Sequence, residues 1–241
     1  MSRLSRPLAI LSSPVVLPQA WWVRRTTPRL PEAPGARSGV AGAAHPPALS
    51  LLVIGESTAV GVGVDDQSAG LAAQLARLLA RDGRAVAWAA IGRSGHRVSG
   101  TLAETVPRLV GEHDVVVVAL GVNDVMGLTS LRRWRAGIEA ILGELRPHLR
   151  DGGRIVLSGL PPLRHFPSLP QPAREVAALH ADALDACLAD VAPRRGALHV
   201  PIHHLARPDH LAADGFHPSA VGYRAWAEAI AAALDSAPSG L

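Results

Sequence analysis

The chain has 241 residues, 48% of them hydrophobic, enough to bury one substantial core as a single domain plus a tail. Its net charge of +4 invites a nucleic-acid reading, but residues 1–48 hold six arginines and one glutamate, against 18 arginines and 19 acids in the remainder. The folded part is therefore near neutral, with no basic stripe for a phosphate backbone, and no nucleic-acid partner is expected. A lone cysteine, Cys187, excludes an intrachain disulfide and a Cys-rich metal site; the absence of lysine excludes Schiff-base chemistry and the Walker A motif.

In chain order, residues 8–23 are apolar but interrupted by Pro14 and Pro18, and lead into Trp21-Trp22 and Arg24-Arg25. The run is too short and broken to cross a bilayer. Rings beside arginines suit peripheral membrane contact through residues 8–25, where aromatics sit at headgroup level and cations meet anionic lipid. A tail that folds back on the domain, or stays disordered, is the other reading. A secretory signal fits poorly, since no small-x-small cleavage site follows. Residues 27–47 are rich in Pro, Gly and Ala and read as a linker, so residues 1–48 are taken as a tail and 49–241 as the folded domain. Without disulfides or a cleavage site, the expected location is the cytoplasm, at a membrane surface if the N-terminal segment docks there.

From Leu49 strands alternate with helical patterns. Strands are predicted at 49–54, 84–90, 114–119, 153–158 and 196–200, and helices at 66–82, 97–110, 129–149, 172–192 and 218–235. The alternation predicts an α/β fold: a doubly wound, five-stranded parallel sheet in a three-layer α/β/α arrangement.

Loops that follow parallel strands open at one sheet edge, where such folds place ligands. The first is Gly55-Glu56-Ser57, and Ser57 there is either a nucleophile or a turn serine. The second holds Gly92 and Arg93, the third Gly121-Val122-Asn123-Asp124. The last, Asp214-Gly215-Phe216-His217-Pro218, puts an imidazole where the following proline restricts the backbone, with Pro218 at the first helical position. Asp214 can fix the His217 tautomer and leave one ring nitrogen to accept a serine proton; an ordinary helix start is the alternative.

His199, His203, His204, His210 and His217 invite a metal reading, but no carboxylate pattern or His-Glu-x-x-His spacing accompanies them, so no metal or other cofactor is expected. Gly61-Val62-Gly63 is no dinucleotide fingerprint, because Asp65 and Asp66 stand where pyrophosphate charge would fall. Arg93 either meets an anionic substrate group or is solvated, and Cys187 reads as a core residue. Leu163, Phe166 and Leu169, in the loop after the fourth strand, offer an apolar wall for an acyl chain.

Together, Ser57 in Gly-Glu-Ser, Gly92, Asn123 in Gly-Val-Asn-Asp and His217 in Asp-Gly-Phe-His-Pro resemble, in order, the four blocks of the SGNH (GDSL-type) hydrolases, over about residues 50–235. The resemblance implies a flavodoxin-like sheet and a serine hydrolase acting on a small-molecule or lipid-like ester, esterase- or lipase-like. It implies a Ser57–His217–Asp214 triad, with the Ser57 and Gly92 N–H groups and the Asn123 side chain as oxyanion donors. An acyltransferase, a polysaccharide O-acetylesterase and a silent binding module share the fold and stand as alternatives. The family's usual Gly-Asp-Ser is Gly-Glu-Ser here, which implies altered bonding in that loop.

Overall fold

The computed structural model describes residues 13–43, 46–81, 83–205 and 207–237. Arg3, Arg6 and the first residues of the apolar run, 8–12, lie outside them. Six strands form one sheet: β1 (Ser38–Ala41), β2 (Leu49–Gly55), β3 (Val86–Gly92), β4 (His113–Ala119), β5 (Leu149–Ser158) and β6 (Leu198–Val200). Their order is β1-β3-β2-β4-β5-β6, all pairs parallel except the antiparallel β1–β3. β3 and β4 flank β2 on opposite sides, so the carboxyl end of β2 is the topological switch point where doubly wound sheets open a crevice.

The helices are α1 (Ser13–Thr26), α2 (Leu71–Leu79), α3 (Val98–Gly100), α4 (Val122–Met126), α5 (Leu131–Leu145), α6 (Ala173–Arg194) and α7 (Ala220–Ser236). Strand side chains alternate between faces, which divides the core in two. Leu51 and Val53 of β2, with Val115 and Val117 of β4, pack with α2 and α7. Leu52 and Ile54, with Val116 and Val118, pack with α5 and α6. The near-unbroken apolar runs of β2 and β4 follow from this burial on both sides.

Three expectations are corrected. The sheet has six strands, because Ser38–Ala41 of the expected linker pairs with β3 and closes one edge. Hydrogen bonds cross the boundary expected at residue 48. Gln67, buried, donates its side-chain amide to Ala33 O (2.9 Å) and Val60 O (2.8 Å), and Ala33 N–H donates to Val60 O at 3.2 Å. Further upstream, α1 folds back onto the start of α6: Gln19 donates to Gln171 O at 2.5 Å and accepts from Ala173 N–H at 3.0 Å, and Val23 packs on the core. The outer face of α1 leaves Val15, Leu17, Trp21 and Trp22 exposed, with the Arg25 guanidinium 4.6 Å from the Trp21 ring centre. Among the described residues no helix is long and apolar enough to cross a membrane.

Third, two helix starts move inward. Asp66 accepts from Ser68 N–H and caps a short 3-10 turn, Gln67–Ala69, ahead of α2. Ser219 accepts from Gly222 N–H and caps α7, so Pro218 lies one residue outside the cap rather than in the helix. The helix expected over 97–110 is α3 followed by a π turn, Thr101–Thr105, and a 3-10 turn, Val106–Arg108.

Candidate active site

Ser57 leaves the end of β2 in a loop that doubles back at Gly61 and Gly63, with φ of 71° and 105°. Gly63 is where this loop meets the His217 loop. A Cβ there would collide with the Pro218 carbonyl oxygen and come within 3.2 Å of His217 Cβ, so the approach requires glycine. Tyr223 of α7 donates its hydroxyl to Val62 O at 2.8 Å and fastens the same loop to the helix that His217 precedes.

The loops bring three side chains into line. His217 Nε2 stands 3.0 Å from Ser57 Oγ, and His217 Nδ1 stands 2.6 Å from Asp214 Oδ2. Asp214 Oδ1 accepts the backbone N–H groups of Phe216 (2.9 Å) and His217 (3.0 Å), so the carboxylate is fixed by the turn it closes. Burial works to raise the Asp214 pKa. The imidazole and the two N–H donors outweigh it and hold the carboxyl below the ordinary aspartate value. An ionised Asp214 accepts a hydrogen bond from Nδ1–H, which leaves the Nε2 lone pair facing the serine hydroxyl. Phe166 packs edge-on against Phe216, 5.5 Å between centres, and Phe216 against His217 at 5.4 Å, bracing the imidazole from the far side.

Beside Ser57, the Ser57 N–H donates to no acceptor among the described residues. Asn123, in the first turn of α4, is held differently. Its side-chain amide donates to Glu56 Oε2 (2.5 Å) and to His96 O (3.1 Å), so both of its N–H bonds are engaged. Glu56 also accepts from Val122 N–H at 2.9 Å and Asn123 N–H at 3.1 Å, which seats its carboxyl at the head of α4. Burial raises the Glu56 pKa to about 7, against the pull of the Asn123 and Val122 donors and with a push from Asp124. Gly92, the other expected backbone donor, ends β3 opposite Gly55. A Cβ there would come 2.6 Å from Gly55 O and 3.1 Å from Ala59 Cβ, so this glycine answers to packing behind the serine loop.

A cavity of about 800 Å³ opens over these groups. Val23, Leu30, Leu120, Phe166, Leu205 and Phe216 give it an apolar wall, two of them from the N-terminal segment taken from sequence as tail and linker. Of the expected pocket residues only Phe166 lines it. Leu163 and Leu169 lie 1% and 2% exposed in the core, where they support the Phe166 loop from beneath; the loop turns one apolar side chain outward and anchors itself with the others.

The remaining candidates separate. His199 pairs with Asp185 (3.0 Å), His203 and His204 meet edge-on, and His217 is engaged by Asp214. Among the described residues no three potential ligands gather as a metal group. His210 instead lines the cavity, its Nδ1 buried without a partner. Arg93 pairs with Glu104 at 2.8 Å, and Cys187 is a core residue whose thiol pKa burial raises. Gln67, Tyr223, Gly63 and Arg97, a further cavity residue, shape or line the site without belonging to any sequence motif; only their three-dimensional neighbours reveal them.

The sequence profile of the GDSL-like Lipase/Acylhydrolase family matches residues 53–225. A search of curated proteins returns no match. Among solved structures, TesA is 24% identical, with a TM-score of 0.61 over 77% of this chain and 97% of its own. The extracellular lipase of Streptomyces rimosus is 19% identical, with a TM-score of 0.55 over 79% and 100%. Axe2, an acetylxylan esterase from Geobacillus stearothermophilus, is 17% identical, with a TM-score of 0.55 over 78% and 94%. These likenesses share the fold, and with more than half of its length matched by the family profile, the chain belongs to the GDSL-like lipase/acylhydrolase family and is a carboxylic ester hydrolase.

Proposed function

We propose that the chain hydrolyses acyl esters through a Ser57–His217–Asp214 triad and an acyl-enzyme. The observation that carries this is the unbroken line from Ser57 Oγ through the imidazole to a buried carboxylate, at 3.0 and 2.6 Å. Ser57 Oγ attacks the ester carbonyl as its proton passes to His217 Nε2. The tetrahedral oxyanion is held first by the free Ser57 N–H, and by Asn123 once its amide turns from Glu56 or His96. Collapse of the intermediate breaks the carbonyl–alkoxide bond, and His217 returns the proton to the leaving oxygen. Water then repeats the attack on the acyl-serine and releases the acid. Asp214 stays ionised and holds the imidazolium that forms in each half.

The apolar wall supports an acyl chain as the group bound there and favours lipid-like esters and thioesters over acetylated polysaccharide. Labelling by a fluorophosphonate probe tests the nucleophile. Wild type is expected to label and Ser57→Ala not to; equal labelling of the two sinks the triad.

A further inference from the structure

Two arginines line the cavity beside the triad, Arg97 from the start of α3 and Arg29 from the segment after α1. Eight ion pairs or more tie other arginines of this chain to carboxylates, Arg93 to Glu104 among them. Neither the Arg97 nor the Arg29 side chain has such a pair or a hydrogen bond among the described residues. The two acids on the cavity wall do not compensate them: Asp214 is engaged with His217, and Glu56 lies buried against Asn123 and Val122. Asp124 is wholly buried, which raises its pKa against the pull of nearby donors and of the Arg97 charge, and its Oδ2 accepts from Val98 N–H at 2.8 Å.

The position of Arg97 is specified by its surroundings. Its guanidinium lies against Gly127, the residue that ends α4, where even a single added Cβ would overlap it. Gly127 and Met126 line the same cavity, and Asn123 stands one helical turn earlier. Four residues at the helical rise separate Asn123 from Gly127 by about 6 Å. The Arg97 guanidinium is thereby held on the wall of the cavity that contains Ser57 and Asn123, against the end of the helix that carries Asn123.

We infer that Arg97, with Arg29 at the rim, recognises an anionic group carried by the substrate, so that the ester has an apolar acyl chain and a carboxylate or phosphate close to its scissile bond. This rests on the hydrolase reading above and names the substrate class for the same site. A guanidinium meets either anion by paired N–H donors.

The test uses three esters of one acyl chain: a monoacylglycerol, an acylglycerate and an acylglycerol phosphate, which are neutral, carboxylate-bearing and phosphate-bearing. Wild type is expected to prefer at least one anionic ester over the neutral one in kcat/KM, and the better of the two identifies the anion. In Arg97→Ala that preference ratio should fall about tenfold or more, the scale of one charge-assisted hydrogen-bond pair. Gly127→Ala, which displaces the guanidinium without removing it, should lower the ratio in the same direction, and Arg97→Lys should retain part of it. A wild-type enzyme with no anionic preference, or a ratio unmoved by Arg97→Ala, overturns the inference. So does failure to turn over all three esters by an enzyme whose Ser57 labels with fluorophosphonate, and that result leaves the hydrolase reading standing. Absence of Ser57 labelling removes both.

Discussion

At the scale of single residues, the motifs were legible because their chemistry is local. Asp214 and His217 lie three positions apart across a glycine turn, and the proline at 218 marks the loop as special in sequence alone. What no spacing discloses is how Ser57 comes to face that loop from 160 positions away. The contact is made by Gly63, which in sequence stands out only as part of Gly61-Val62-Gly63 and carries no sign of its partner loop. Gly63→Ala is therefore expected to push the serine and histidine loops apart, and displacement of reacting groups by about 1 Å can cost on the order of 100-fold. Fluorophosphonate labelling should slow by that order while circular dichroism shows a folded chain; wild-type labelling would mean that the loops do not need this contact. Asn123 presents the opposite case, legible as a motif but bonded in a way the motif does not foretell. The longer side chain of Glu56 reaches its amide and holds it. If that amide turns to the oxyanion in the reaction, Asn123→Ala loses about 10²–10³ in kcat with little change in KM. A near-wild-type kcat would leave the Ser57 N–H as the working donor.

At the scale of elements, hydrophobic runs located all five parallel strands, each to within a few residues, because strands buried on both faces leave continuous apolar signatures. β1 escaped notice for the same reason in reverse. It is four residues, Ser-Gly-Val-Ala, on an edge, where only one residue is buried and no apolar run is needed. The linker composition around it is real, yet Ala33, Pro34 and Ser38–Ala41 are fixed by backbone and Gln67 hydrogen bonds that any sequence of that length could make. These bonds clamp Val60, within the serine loop, and Leu30 and Val23 form cavity wall. A chain begun at residue 49 is therefore expected to be both less stable and less active than the full chain. Each buried hydrogen bond contributes about 0.5–1.5 kcal/mol, and each kcal/mol moves the melting temperature of a domain this size by about 2–4 °C. Loss of the three bonds made by Ala33 and Pro34 alone should lower the melting temperature by roughly 5–15 °C. An unchanged melting curve and unchanged ester turnover would restore the N-terminal segment to the status of a tail.

At the scale of the whole molecule, two buried carboxyls near the sheet's switch point bear on folding with opposite sign. Asp214 has a folded-state pKa below its ordinary 3.8, so its contribution to stability is present above that value and is lost as the pH falls through the lower, folded one. Glu56 has a folded-state pKa raised from 4.5 to about 7. Between those two values the unfolded chain has released the Glu56 proton while the folded chain still holds it, so rising pH favours unfolding across that window. Above the folded pKa both states are ionised and the cost stays constant. The effect depends on the layered architecture, since it is the end of β2, under α4 and away from water, that makes the site dry; from sequence, Glu56 reads as an exchange for the family's aspartate that alters the loop's bonding, with nothing to show its burial. Glu56→Gln carries no titrating proton there, and its melting temperature should change less between pH 4.5 and 7 than that of wild type, whose curve should fall relative to it as the pH rises. Paired thermal melts across that range measure the difference directly. Parallel curves for the two proteins would place Glu56 in water-like surroundings and leave the head of α4 to be held by backbone alone.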